Sequence, residues 1–321
     1  GVYIGSYAGM SQTSGGQSVA IGENAMRTST GALNNVVIGQ SAAYSMTSRY
    51  NSVIIGANAG YSVGAGDTTL IGCEAGQNTT TTGAVALGFQ ALVKSTGNRN
   101  TGLGYRAGQQ LTGGGDNLYV GYEAGQGVFN DHQTGDRNIG LGNYTLKTLT
   151  SGGSNIGLGH EAGKIITTGN RNISIGAYAY NNADTESDNI AIGYDALGGA
   201  VDGGEKNIAI GNYAADALTT ADNLIAIGYN AATAMTTGYN NNANSVIIGN
   251  YAAEAMTNGA ENVIIGYEAG KTMGTWSSGT LRNSYSVLIG SKAGYNLRNS
   301  GRNIAIGMQS LYYEQDTGYN T

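Results

Sequence analysis

Asn262-Val-Ile-Ile-Gly-Tyr-Glu-Ala-Gly-Lys-Thr272 (NVIIGYEAGKT) runs from a short aliphatic stretch through two glycines into Gly-Lys-Thr. A phosphate-binding loop needs four residues between its glycines, so that successive N–H groups wrap the phosphates before a helix starts. Gly266 and Gly270 are separated by only three. The spacing excludes that loop, and the rest of the chain explains the same residues as one copy of a repeat.

A glycine preceded by Ile, Leu or Val recurs eighteen times, from Gly5 and Gly22 to Gly290 and Gly307, mostly 16 to 18 residues apart. The residue three before this anchor glycine is Val, Ile, Leu or Thr in every copy, and Ala stands three after it in sixteen. Asn or Ser precedes the aliphatic segment in fourteen copies. A fixed period of this length is the signature of a solenoid. The fold class it predicts is all-β: a parallel β-roll or β-solenoid of about 18 coils, each of about 17 residues.

Each slot has a structural role. Val263 and Ile265 lie two apart and so share one face of a strand. Their uniformity across copies places them inside, as it does Ile192, with the variable residue between them facing out. Asn and Ser before the strand are placed to bond one another from coil to coil. The anchor glycine supplies a corner with positive φ, and Thr-x-Gly segments such as Thr257-Asn258-Gly259 make the return turn. Ala252, Ala253 and Met256 fit either a second short strand or a turn or two of helix; isolated helices so short are marginal, and the strand is preferred.

Composition agrees with a stacked chain. The 321 residues include 55 Gly, 22 Tyr and no Pro, which cannot donate a ladder hydrogen bond. Net charge is −6 and the 15 basic residues are scattered, so no basic stripe for nucleic acid exists. No segment approaches the ~20 apolar residues of a membrane span. Coils this short enclose little core, and outward residues such as Val37, Ile54, Ile247 and Leu288 are apolar too. Several parallel chains around an axis would cover both faces, three being the preferred number.

Ser18-Val-Ala-Ile-Gly-Glu-Asn-Ala25, Asn189-Ile-Ala-Ile-Gly-Tyr-Asp-Ala-Leu197 and Asn303-Ile-Ala-Ile-Gly-Met-Gln-Ser-Leu311 resemble the YadA-like head repeats of trimeric autotransporter adhesins. They are still more similar to the related arrays of bacteriophage tail fibres. The resemblance covers essentially the whole chain. It implies a left-handed parallel β-roll in a homotrimer, extracellular on a virion or bacterial cell surface, without catalytic residues or cofactors. The expected domain is one repeat array over 1–321, a window of a longer fibre protein, with self and a host glycan or protein as partners. The expected function is structural reach and host attachment; the alternatives are a tailspike-like polysaccharide depolymerase and a purely structural filament.

Functional constellations are sparse. Carboxylates recur two after the anchor glycine (Glu74, Glu123, Glu161, Asp195, Glu268) and read as a solvated face rather than the paired acids of a glycosidase. His132 and His160 have no partners at metal-ligand spacing, and Cys73 reads as a bystander. Tyrosines one or two after the anchor, among them Tyr122, Tyr194, Tyr213 and Tyr229, read as a stiffening ladder ahead of a binding stripe. Three longer intervals, of 21, 21 and 24 residues, follow Gly121, Gly228 and Gly266. They carry Phe129 and His132, Tyr239 and Asn241, and Trp276, the candidate ligand-binding residues, because loops on a rigid scaffold gather binding groups. The second and third lie two coils, ~10 Å, apart and form one expected site; the first is separate.

Overall fold

In the computed structural model the described residues are 1–14, 16–46, 50–64, 66–129, 131–236, 243–273, 284–297 and 301–313. Among them there is no helix. Two compact units, Gly1–Gly157 and Leu158–Thr321, are each a parallel β-solenoid with coils of about 17 residues. In the first, strands such as Val36–Ile38, Val53–Ile55 and Thr69–Ile71 pair in parallel, each residue opposite its equivalent one coil on. In the second, Ile173–Ile175, Ile190–Ile192, Ile208–Ile210 and their successors do the same up to Ile304–Ile306.

The inward face is the opposite of the one expected. The middle residue of each three-residue strand after Val2–Ile4 faces the core: Ala20, Val37, Ile54, Leu70, Tyr119, Ala191, Ile247 and Leu288 are all 0% exposed. The flanking aliphatics, Ile190 and Ile192 among them, are half-exposed on the outer face. A three-residue strand can turn only one side chain into so narrow a coil. Uniformity marks the outside here, while the inside varies to fit its neighbours.

That variation is reciprocal. The middle strand residue meets the residue four after the anchor glycine: Leu70 faces Gly76, Leu288 faces Gly294 and Tyr119 faces Gly125. Where the middle residue is small (Ala20, Ala86, Gly140, Ala191), the second slot holds Met26, Leu92, Leu146 or Leu197, all fully buried. In these coils one of the two slots holds the large side chain; elsewhere, as at Ala209 with Ala215 and Ala226 with Ala232, both are small and Leu218 or Met235, seven after the anchor, is buried instead.

The segment after the anchor is neither the preferred second strand nor a helical turn. Among the described residues only Ser45–Met46 and Ser62–Val63 pair there as strands. The second and fourth residues after the anchor are left-handed in these coils too (Ser41 φ 53°, Ala43 φ 46°), as at Tyr213 (φ 60°) and Ala215 (φ 50°). Left-handed residues interrupt any helix or strand, and each costs a non-glycine residue roughly 1–2 kcal/mol. The return is that successive N–H groups point along the stack in turn. Asn24 N–H donates back to Ser6 O at 2.8 Å, Ala25 N–H to Gly22 O within its coil at 3.2 Å, and Met26 N–H forward to Ala42 O at 3.0 Å.

The anchor glycine is required by close approach as well as by φ. At Gly193 (φ 137°) a Cβ would stand 2.5 Å from the carbonyl oxygen of Gly211 in the next coil. The expected corner is therefore present.

So is the polar ladder before the strand. Asn100, Asn117, Asn138 and Asn155 are buried, and Oδ1 of the first three accepts the backbone N–H of the next: Asn117 at 3.0 Å, Asn138 at 2.8 Å, Asn155 at 2.9 Å. Their Nδ2 groups donate forward to turn carbonyls, Asn117 to Gly135 O and Asn138 to Gly152 O, both at 3.0 Å. Asn172, Asn189 and Asn207 repeat the device in the second unit. One side chain thereby satisfies two buried backbone groups that no regular strand reaches.

Candidate ligand-binding cleft

The first insertion leaves the coil after Gly127, whose N–H donates to Lys147 O at 2.9 Å. It returns at Gln133, which forms a parallel bridge with Leu111. Gln133 is buried and its Nε2 donates to the Tyr119 hydroxyl at 2.8 Å. Between these ends Phe129 and Asp131 are exposed and Val128 is half-buried. Phe129 projects, 77% exposed. His132 is also exposed.

Beside Phe129 lies a cleft of about 450 Å³, lined also by Gln90, Arg106, Gln109, Gln110 and Gln126. The structure thus brings Phe129 to a cavity, while His132 does not line it. Tyr239, Asn241 and Trp276 lie outside the described residues.

The amides lining the cleft form a chain. Gln109 Nε2 donates to Gln90 Oε1 at 2.8 Å, and Gln126 Nε2 donates to Gln109 Oε1 at 3.3 Å. Arg106 Nε shares the Gln90 oxygen at 3.1 Å. Lys94 Nζ donates to Gln110 Oε1 at 3.0 Å and stands 5.7 Å from the Phe129 ring centre. Sequence reasoning missed these groups. The signal was there: Gln90 and Arg106, Gln109 and Gln126, and Lys94 and Gln110 are each the same slot of adjacent coils.

The recurrent carboxylates are not a freely solvated face. Glu123 is buried, 2.7 Å from Lys147 Nζ and 3.9 Å from Arg106. Glu268 is held by Lys271 at 2.8 Å and Lys292 at 3.4 Å, and its hydrogen bond from Lys271 lowers its carboxyl below the usual range. Glu161 pairs with Lys164 at 3.0 Å. Lys271, from the Gly-Lys-Thr stretch, also reaches Glu254 at 3.4 Å. Asp195 and Asp216 differ: burial raises both, and Asp216, with the Asp195 charge adding to its burial, is pushed up to about 6. Among the described residues no three His, Cys, Asp or Glu side chains gather as metal ligands.

The aromatic ladder is real and follows a rule. Where neighbouring rings occupy the slot directly after the anchor they stack: Phe89–Tyr105 at 5.3 Å and 17°, Tyr105–Tyr122 at 5.0 Å and 5°. Where the slot alternates between first and second, they meet edge-on. Tyr178, Tyr194, Tyr213, Tyr229, Tyr251 and Tyr267 do so with centroids 5.3 to 6.2 Å apart. Both geometries are favourable for aromatic pairs.

No protein-family model matches this chain, and no curated protein matches it.

Proposed function

We propose that this chain is a non-enzymatic segment of a trimeric extracellular fibre, of the bacteriophage tail-fibre or bacterial surface-adhesin kind, with left-handed coils. Its roles are reach and attachment to a host surface. The observation that carries this reading is the outer strand face. Two aliphatic side chains per coil, such as Ile208 and Ile210 or Ile225 and Ile227, stand half-exposed at the same two positions of successive strands. A regular apolar strip of this extent calls for a regular cover, and two further copies of the same strip, packed about a common axis, supply one.

Three of the recurrent carboxylates, Glu123, Glu161 and Glu268, are each tied to a lysine and so do not offer the free acid and base of a glycosidase. Sedimentation equilibrium tests the assembly. The expected mass is three times the 32.7 kDa chain; a single-chain mass at micromolar concentration overturns it.

A further inference from the structure

We propose that the cleft beside Phe129 binds the carboxylate-bearing ring of an acidic sugar in a surface polysaccharide, which rests on the reading of the fibre as an attachment device. Three features meet there, each suited to one part of such a ring. Phe129 offers an exposed aromatic face, the usual partner of the apolar face of a pyranose. Gln90, Gln109 and Gln126 line one wall from three consecutive coils; Gln90 Nε2 already donates to Glu74 Oε2 at 2.7 Å, and the remaining N–H and lone-pair capacity of the three amides is what can meet ring hydroxyls.

The charge decides between a neutral and an acidic sugar. The chain as a whole is anionic at −6, yet Arg106 lines this cleft and Lys94 reaches two of its lining residues, Gln110 and Phe129. Among the described residues no carboxylate oxygen lies within 4.0 Å of Lys94 Nζ. Its contacts are a neutral amide, Gln110, and the π face of Phe129. Arg106 lies over the Tyr105 ring at 4.9 Å and is 3.9 Å from Glu123, whose closer cation is Lys147 at 2.7 Å. An ammonium bonded to a cleft-lining amide, with no counter-charge within 4.0 Å among the described residues, is placed to receive a carboxylate by a charge-assisted hydrogen bond. The same carboxylate would draw Lys94 off the Phe129 ring and free its face for the sugar.

The site lies on a scaffold that is fixed before binding. Gln133 locks the return of the insertion to Tyr119, and Arg106 and the three glutamines are already tied to one another. Little ordering remains to be done on binding, which favours affinity.

The test uses the full assembled chain in calorimetric titrations. The probes are a hyaluronan hexasaccharide and an α2,8-linked sialic acid tetramer, each alongside the same oligosaccharide with its carboxylates reduced to alcohols. At least one acidic probe is expected to bind, and its reduced form to bind at least about tenfold more weakly, the worth of a charge-assisted hydrogen bond. Lys94→Gln is expected to erase that preference while leaving residual binding. Phe129→Ala is expected to weaken acidic and reduced probes alike. Both side chains lie outside the core, and a circular dichroism spectrum matching the parent confirms that the variants fold. Equal binding of an acidic probe and its reduced form overturns the proposal, as does unchanged preference in Lys94→Gln. Binding of neither acidic probe at millimolar concentration also overturns it. A trimer mass retained in that case leaves the fibre reading standing and removes only the cleft.

Discussion

Leu70 and Gly76 share one volume: a Cβ on Gly76 would lie 2.6 Å from Leu70 Cδ2. In the next coil the same two slots hold Ala86 and Leu92, both fully buried, with Leu92 at a φ of 49°. The backbone at both slots is the same, and only the division of side-chain volume changes.

A swap within one coil should therefore be tolerated better than either half of it. Leu70→Ala leaves a cavity and should cost ~2–5 kcal/mol. Gly76→Leu overpacks the coil and places a branched side chain at φ 55°, for ~1–3 kcal/mol of crowding. The double variant rebuilds the Ala86–Leu92 arrangement, and its thermal midpoint should exceed that of Leu70→Ala. Additive losses in a double-mutant cycle would refute the reciprocal core.

The asparagine ladder makes a second prediction. Asn138 accepts from Asn155 N–H and donates to Gly152 O, so Asn138→Ala leaves both groups buried without a partner, at ~2–4 kcal/mol in all. Asn138→Ser keeps an acceptor at the level where Ser52 accepts from Thr68 N–H and Ser245 from Asn262 N–H. Chemical denaturation should rank the parent above Ser and Ser above Ala.

Asp216 sets a pH dependence. Its folded pKa, about 6, stands above the ordinary aspartate value because burial and then Asp195 disfavour its charge. A raised carboxyl favours folding only while protonated: the contribution is complete below the unfolded value of ~3.9 and is lost as pH rises through about 6. Asp216→Asn should match the parent near pH 4 and be more stable than it at pH 7.5. Parallel melting curves across that range check the sign; a variant less stable at pH 7.5 would contradict it.

The period, the strands, the corner glycine and the asparagine ladder were all legible in the sequence, because each imposes the same residue type on every coil. The inward face was not. Ile and Val recur at the outer positions, whereas the true interior holds Tyr119 in one coil and Gly140 in the next, a variation that reads as surface until it is paired with Gly125 and Leu146. The turn after the anchor was misread because left-handed φ at residues such as Tyr213, Ala215 and Leu197 contradicts local preference. The ladder of bonds between coils enforces it. At the cleft, Phe129 was visible as an odd residue in a long interval. Its neighbours Lys94, Arg106 and Gln109 come from two other coils; their equivalent slots were in the sequence, but their meeting with Phe129 is a matter of the three-dimensional stack.

The inverted face and the trimer are tested together by one comparison. Ala191 is 0% exposed inside its coil, and Ile192, beside it, is half-exposed on the outer face. Ala191→Asp buries an unpaired charge and should abolish the folded coil. Ile192→Asp places the charge on the strip assigned to the subunit contact. The measurement is sedimentation equilibrium of Ile192→Asp alongside its circular dichroism spectrum. The account predicts a retained β spectrum with the mass falling from three chains to one. A mass of three chains, unchanged, would contradict it.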